Sequence, residues 1–210
     1  MAFDYKKEYK EFYLPAYLPT IVEVPSMNFI AVKGIGDPND LNGEYNRAME
    51  LLYAVAYTIK MSHKSNYKIQ GFFEYVVPPL EGLWWQDGTV GMDYSKKNEL
   101  SWISLIRLPD FVTKEDFEWS IKEATNKKKK DFSKVEFLTI NEGLCVQCMH
   151  IGSYDDEEKT VKLMDEYADE NGYEIDIKAN RRHHEIYLSD PRKCALSELK
   201  TVIRHPIRKK

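Results

Sequence analysis

Two stretches decide the fold: Phe29-Ile30-Ala31-Val32-Lys33-Gly34-Ile35-Gly36-Asp37-Pro38-Asn39-Asp40, and Cys145-Val146-Gln147-Cys148-Met149-His150-Ile151-Gly152-Ser153-Tyr154-Asp155-Asp156. With Gly36 laid over Gly152, each runs from an apolar β-rich segment through a glycine turn to an acidic residue placed to cap a helix. Phe29 to Val32 then overlies Cys145 to Cys148, and Asp40 overlies Asp156. After each comes a helical pattern and then further β segments. The pattern β-α-β-β is therefore read twice, with repeat one about 20–107, repeat two about 134–190, and a helix at about 113–130 inserted between them. Pairing of the copies about a pseudo-twofold predicts an α+β fold: a curved antiparallel sheet backed by helices, with a central aromatic ligand cavity over the other face.

The repeats set the remaining elements. Residues 1–19 read as a polar, tyrosine-rich arm in which Tyr5, Tyr9 and Tyr13 allow a helical turn, and residues 20–210 as a single domain. Pro25 breaks the first β region. Residues 41–62 carry Tyr45, Ala48, Met49, Leu52, Ala56 and Ile59 at helical spacing, with Tyr53 and Tyr57 on another face. Strands are expected at 68–77 and 98–107, separated by Leu80-Glu81-Gly82-Leu83-Trp84-Trp85 and a polar loop over 86–97. Thr113 with Asp116 makes a capping box for the inserted helix. A third helix is expected at 156–171, with Val161, Leu163, Met164, Tyr167 and Ala168 inward and Asn171-Gly172 as its stop. A strand over 173–178 then leads to His183-His184-Glu185-Ile186-Tyr187-Leu188. Side chains alternate along that last strand, so Ile186 and Leu188 are expected under the helices and His183, Glu185 and Tyr187 on the other face.

Composition excludes several function classes. The 210 residues are 43% hydrophobic and 30% charged, as in a soluble globular protein. A net charge of -4 argues against a general nucleic-acid binder. The lysine run Lys127 to Lys130 and the tail Arg204, Arg208, Lys209 and Lys210 read as solvated charge, as does Asp155-Asp156-Glu157-Glu158 at a helix N-terminus. No apolar run approaches membrane-spanning length, and Asp4, Lys6 and Lys7 interrupt any leader, so no membrane partner and a cytoplasmic location are expected. Cys145 and Cys148 lie three apart on a strand, face opposite sides and read as core thiols. His183 and His184 also face opposite ways. No metal site or cofactor is expected, and Gly34-Ile35-Gly36 lacks the third glycine of a phosphate loop.

Five segments carry a likeness to a known family: Val24-Pro25-Ser26-Met27-Asn28-Phe29, Gly36-Asp37-Pro38-Asn39, Pro79-Leu80-Glu81-Gly82-Leu83-Trp84-Trp85, Arg107-Leu108-Pro109-Asp110-Phe111-Val112, and Glu185-Ile186-Tyr187-Leu188-Ser189-Asp190-Pro191. In this order the chain resembles the GyrI-like small-molecule-binding family, most closely its stand-alone bacterial branch with the Leu-Trp-Trp segment. The resemblance implies an aromatic cavity with a buried glutamate, which is Glu185 by its place in the Glu-Ile-Tyr strand. In drug-sensing regulators of the family that glutamate pairs with lipophilic cations. In part of the stand-alone branch the activity is hydrolysis of strained cyclopropane rings in DNA-alkylating natural products (cyclopropanoids). The regulators' helix-turn-helix segment has no counterpart here, so direct DNA binding is not expected.

The chemistry follows from that placement. An apolar pocket raises a carboxylate's pKa and makes it a better base, so Glu185 is the candidate to activate water, with Tyr187 on the same strand face as candidate hydrogen-bond donor. Trp84, Trp85, Trp102, Glu74, Tyr75 and Tyr57 are the candidate ligand-binding residues for a hydrophobic aromatic small molecule. The alternative from the same residues is a binding protein for drugs or lipophilic cations, without catalysis.

Overall fold

The computed structural model describes residues 2–89 and 91–210. Met1 of the expected arm and Val90 of the expected polar loop lie outside the described residues. The arm forms two single helical turns, α1 (Tyr5–Glu8) and α2 (Lys10–Tyr13), whose Phe12 and Tyr13 are buried. There follow β1 (Thr20–Val24), β2 (Met27–Ile35), α3 (Glu44–Lys60), β3 (Leu80–Trp85), β4 (Ser101–Arg107), α4 (Lys114–Lys128), β5 (Glu136–Ile140), β6 (Gly143–Ile151), α5 (Glu158–Glu170), β7 (Tyr173–Ile175), β8 (His183–Tyr187) and β9 (Lys200–Lys209). The fold is α+β, and the chain divides into two compact units.

The first unit holds residues 2–5, Met27–Pro78 and Gln86–Ile140. Its sheet has the order β4-β2-β5, antiparallel throughout. Helix α3 packs on β2 and β4 through Ala48, Leu52, Val55, Ala56 and Ile59, all buried. Its N-terminus lies later than the expected cap at Asp40. The Asp40 carboxylate accepts from the Asn42 backbone N–H instead, and Gly43 takes the cap position. Gly34 is required by packing rather than by a phosphate: a Cβ there would stand 2.3 Å from the Trp102 ring. The capping box of α4 is present, with the Asp116 carboxylate accepting from the Thr113 N–H at 2.8 Å.

The strand expected at 68–77 does not form. Gly71 turns the chain at φ +74, and Pro78-Pro79 lack ladder donors. The backbone there bonds instead to the arm, with the Phe3 N–H donating to Glu74 O and the Val76 N–H to Phe3 O. Phe72, Phe73 and Tyr75 cluster around the Phe111 ring.

The second unit holds Lys6–Ser26, Pro79–Trp85 and Asn141–Lys210. Its strands run β1-β6-β9-β8-β3, all antiparallel, and β7 pairs with the far end of β9. Helix α5 buries Met164 and Ala168 against Val146, Cys148, Ile203 and Ile207. Leu163, expected inward, is 41% exposed. Cys145 and Cys148 are buried free thiols on β6.

The C-terminal Arg208, Lys209 and Lys210 are exposed as expected, but the ten-residue β9 overturns the reading of Arg204 as solvated. It is the strand between β6 and β8, and its Arg204 is only 2% exposed. It also corrects the internal repeat. Gly36 (φ +132) donates its N–H to Leu100 O just before β4, and Gly152 (φ +138) donates to Leu199 O just before β9. Strand β4 pairs with β2 as β9 pairs with β6. The equivalent strands are therefore β4 and β9, with β3 matching β8, rather than 98–107 and 183–188.

Candidate functional site

Strand β8 lies between β3 and β9 in the second unit. Residues directly opposite in an antiparallel ladder share a face. Glu185 lies opposite Gly82 and Ile203, Tyr187 opposite Leu80 and Thr201, and His183 opposite Trp84. Glu185 thus shares the face of Ile203, Cys148 and Val146, which is the face α5 covers. This reverses the expected sides: Ile186 and His184 point away from α5, and Glu185 toward its N-terminal end.

On that face a polar cluster forms. Glu185 Oε1 is 3.1 Å from His183 Nε2, and Glu157 Oε2 is 3.7 Å from the same nitrogen. His183 Nδ1 meets His205 Nε2 at 2.7 Å, and His205 Nδ1 lies 3.6 Å from the exposed Asp165 carboxylate on α5. Burial, and then the charge of Glu185, hold the Glu157 carboxyl well above the usual carboxylate range. Burial pushes His205 below the ordinary histidine value despite Asp165. Aromatic rings adjoin the acids. The Trp84 indole N–H donates to Tyr187 Oη at 2.8 Å, and Tyr154 meets the Tyr187 ring edge-on at 5.6 Å. Burial, then Glu185 and Glu157, raise the Tyr154 phenol to about 12. Gly82 makes room for this arrangement, since a Cβ there would stand 2.5 Å from Trp84 Nε1 and 2.9 Å from Tyr187 Oη.

The other face of β8 carries a buried ion network. His184 Nδ1 is 2.9 Å from Glu142 and its Nε2 is 3.0 Å from Glu81. Arg204 bonds Glu142 at 2.7 Å, Gln147 Oε1 at 3.1 Å and the Phe12 carbonyl at 2.9 Å. Burial opposes charge on both Glu142 and His184, but their mutual attraction, with Arg204 and Glu81, outweighs it. Glu142 falls to about 2 and His184 rises to about 9. This network holds β8 against β6 and β9 from behind and so fixes where Glu185 stands. A depressed carboxyl stabilises the fold above its unfolded pKa of 4.5 and loses that contribution as pH falls through about 2. Urea midpoints are therefore expected to be flat above pH 5 and to fall steeply between pH 4.5 and 2, by on the order of 3 kcal/mol from this group. A Glu142→Gln variant is expected to lose most of that acid limb.

The expected site residues distribute between the units. Glu185, Tyr187 and Trp84 come together in the second. Trp85 is one step along β3, so it shares the face of Glu81 and Leu83, and the Arg182 guanidinium stacks 4.4 Å over its ring. The first unit holds the others. Trp102 is fully buried and edge-on to Tyr45 at 5.1 Å. Tyr75 is buried, with its phenol raised by burial. Glu74 is exposed, and Tyr57 is 52% exposed beside Tyr53. Sequence reasoning missed Glu157, His205, Tyr154 and Arg182. Glu157 reads in sequence as part of a solvated acidic stretch; its neighbours Asp155, Asp156 and Glu158 are exposed, but it is 1% exposed. Nothing in the stretch distinguishes it, because all four residues are acidic and its burial comes from β8.

An antiparallel α+β frame that gathers buried acids, imidazoles and aromatic rings on one sheet face is suited to holding a small molecule. The family described as "GyrI-like small molecule binding domain" matches residues 18–208, and the chain belongs to that family. Among solved structures it is similar to a protein from Listeria innocua described as a hydrolase, at 43% identity and TM-score 0.89, over 98% of this chain and 100% of that one. It is similar to an uncharacterized conserved protein from Listeria innocua at 44% identity and TM-score 0.92, over the same shares. The EcmrR C-terminal domain matches at 15% identity and TM-score 0.56, over 92% of this chain and 99% of that one, which is a likeness of fold alone. No curated protein matches the chain. Among the described residues no helix is long and apolar enough to cross a membrane.

Proposed function

We propose that this protein is a hydrolase acting on flat aromatic small molecules that carry a strained, electrophilic cyclopropane. The observation that carries the reading is Glu185, a buried carboxylate on the face of Tyr187 and Trp84, oriented by His183 at 3.1 Å. The 43% identical Listeria protein described as a hydrolase adds support. In the proposed reaction Glu185 takes a proton from water as the water oxygen bonds to a ring carbon. One carbon–carbon bond of the cyclopropane breaks, and its electron pair passes through the conjugated dienone to the carbonyl oxygen. Tyr187, aligned by the Trp84 N–H, donates a hydrogen bond to the developing phenolate. The proton held by Glu185 then returns to that oxygen through solvent, so the net change is addition of one water. The test is incubation of the chelator-treated protein with a spirocyclopropyl dienone and analysis of products by mass. A ring-opened product one water heavier, formed with turnover, is the expected result; stoichiometric binding without that product would sink the reading.

The second reading is favoured by the pairing of Glu157 and Glu185 beside Tyr154, Tyr187 and Trp84. Buried carboxylates beside aromatic rings suit a lipophilic cation. On this reading the protein sequesters the cation and no product appears.

A further inference from the structure

Glu157, His183 and Glu185 each present one ligand atom, and the three atoms lie within 4.8 Å of one another, all on buried residues. From their geometry we propose a binding site for a divalent transition-metal cation of the zinc class, held by one imidazole nitrogen and two carboxylate oxygens. The first argument is spacing. Ligand atoms about 2.0–2.2 Å from a zinc-like ion stand roughly 3.0–3.5 Å apart. His183 Nε2 is already 3.1 Å from Glu185 Oε1 and 3.7 Å from Glu157 Oε2, so a small side-chain adjustment closes the triad.

The second argument is the direction of the imidazoles. His205 Nε2 lies 2.7 Å from His183 Nδ1, and His205 Nδ1 lies 3.6 Å from the Asp165 carboxylate. His183 Nε2, the ring nitrogen turned away from His205, faces the carboxyl groups of Glu185 and Glu157. A metal-bound histidine commonly holds its other ring nitrogen against an outer hydrogen-bond partner, and His205 is placed to be that partner for His183.

The third argument is Glu157. Both of its carboxylate oxygens are buried without a hydrogen-bond partner, and one of them is the 3.7 Å neighbour of His183. A buried acid so placed calls for a partner, and coordination supplies one. The position follows from the fold: Glu157 sits at the N-cap of α5, while β8 puts His183 and Glu185 two residues apart on one face.

The proposal does not rest on the hydrolase reading, because binding is read without substrate and turnover is read with chelator present. The experiment titrates the chelator-dialysed full chain with cobalt(II) chloride, following visible d–d absorption and heat. One tightly bound cobalt per chain is expected, with paramagnetic shifts on the His183 and His205 ring protons in NMR spectra. Glu157→Gln and His183→Gln are each expected to weaken binding by roughly 100-fold, with circular dichroism reporting their folding. Absence of stoichiometric d–d absorption in the wild-type protein would overturn the site. So would cobalt binding whose paramagnetic shifts spare His183, a result that needs no variant to fold.

Discussion

Glu185→Gln is expected to lower turnover by roughly 10²–10⁴-fold, the range for removing a positioned general base, while leaving affinity for a non-reactive flat aromatic analogue unchanged. The substitution keeps the side chain's shape and leaves an amide able to hydrogen-bond His183, so the cluster is expected to hold together. What it removes is the lone pair that takes the proton from water. The rate is read by product formation under saturating substrate, and affinity by quenching of tryptophan fluorescence. The two proposed readings separate here. If Glu185 is a base, the loss falls on kcat. If Glu185 is the counter-charge for a lipophilic cation, cation affinity falls and there was no turnover to lose. Turnover equal to wild type in this variant would rule out Glu185 as the base.

The second large effect is on stability. Arg204→Met is expected to destabilise the fold by about 3–5 kcal/mol, the usual consequence of removing one partner from a buried ion pair. Arg204 is the hub of the network behind β8: it reaches Glu142, Gln147 and the Phe12 carbonyl, and its own charge is favoured by Glu142 against the opposing effect of burial. Methionine fills much of the volume but leaves Glu142 buried with His184 as its remaining cation and the Phe12 carbonyl without this donor. The measurement is urea unfolding at pH 7, repeated in the double variant Arg204→Met/Glu142→Gln. A double variant more stable than Arg204→Met alone would locate the penalty in the uncompensated carboxylate. A loss below about 1 kcal/mol for the single variant, the level of an exposed pair, would mean the network contributes little.

The network bears on the site as well as on stability. His184 and Glu185 are adjacent on β8 and project to opposite faces, one into the ion network and one into the acid–imidazole cluster. A change that loosens the first is felt at the second through a single peptide. Variants of Arg204 or Glu142 that fold are therefore informative about positioning only when kcat and KM are measured separately.

Much of this arrangement was legible in the chain. The match of Gly36 to Gly152 located two copies of one motif because it rests on a local requirement, a positive φ where a strand turns toward a helix. The Thr113–Asp116 box and the Asn171-Gly172 stop are local for the same reason. Alternation along β8 correctly grouped His183, Glu185 and Tyr187 on one face. The family segments pointed to the GyrI-like fold. Each of these readings uses only neighbours in sequence.

What the sequence could not supply is what arrives from elsewhere in the chain. Arg204 reads as solvated charge together with Arg208, Lys209 and Lys210, yet Arg204 and its neighbour His205 are buried because Glu142, Gln147 and His183 come from other segments to satisfy them. Glu157 reads like its exposed acidic neighbours and is buried only because β8 brings His183 and Glu185 to the start of α5. The side of the sheet that Glu185 occupies is likewise set by α5. Periodicity determines which residues share a face, because that follows from backbone geometry alone. Which face is covered, and which charges are buried against one another, was decided by tertiary structure, because the desolvation cost of each buried charge is offset only by partners distant in the chain.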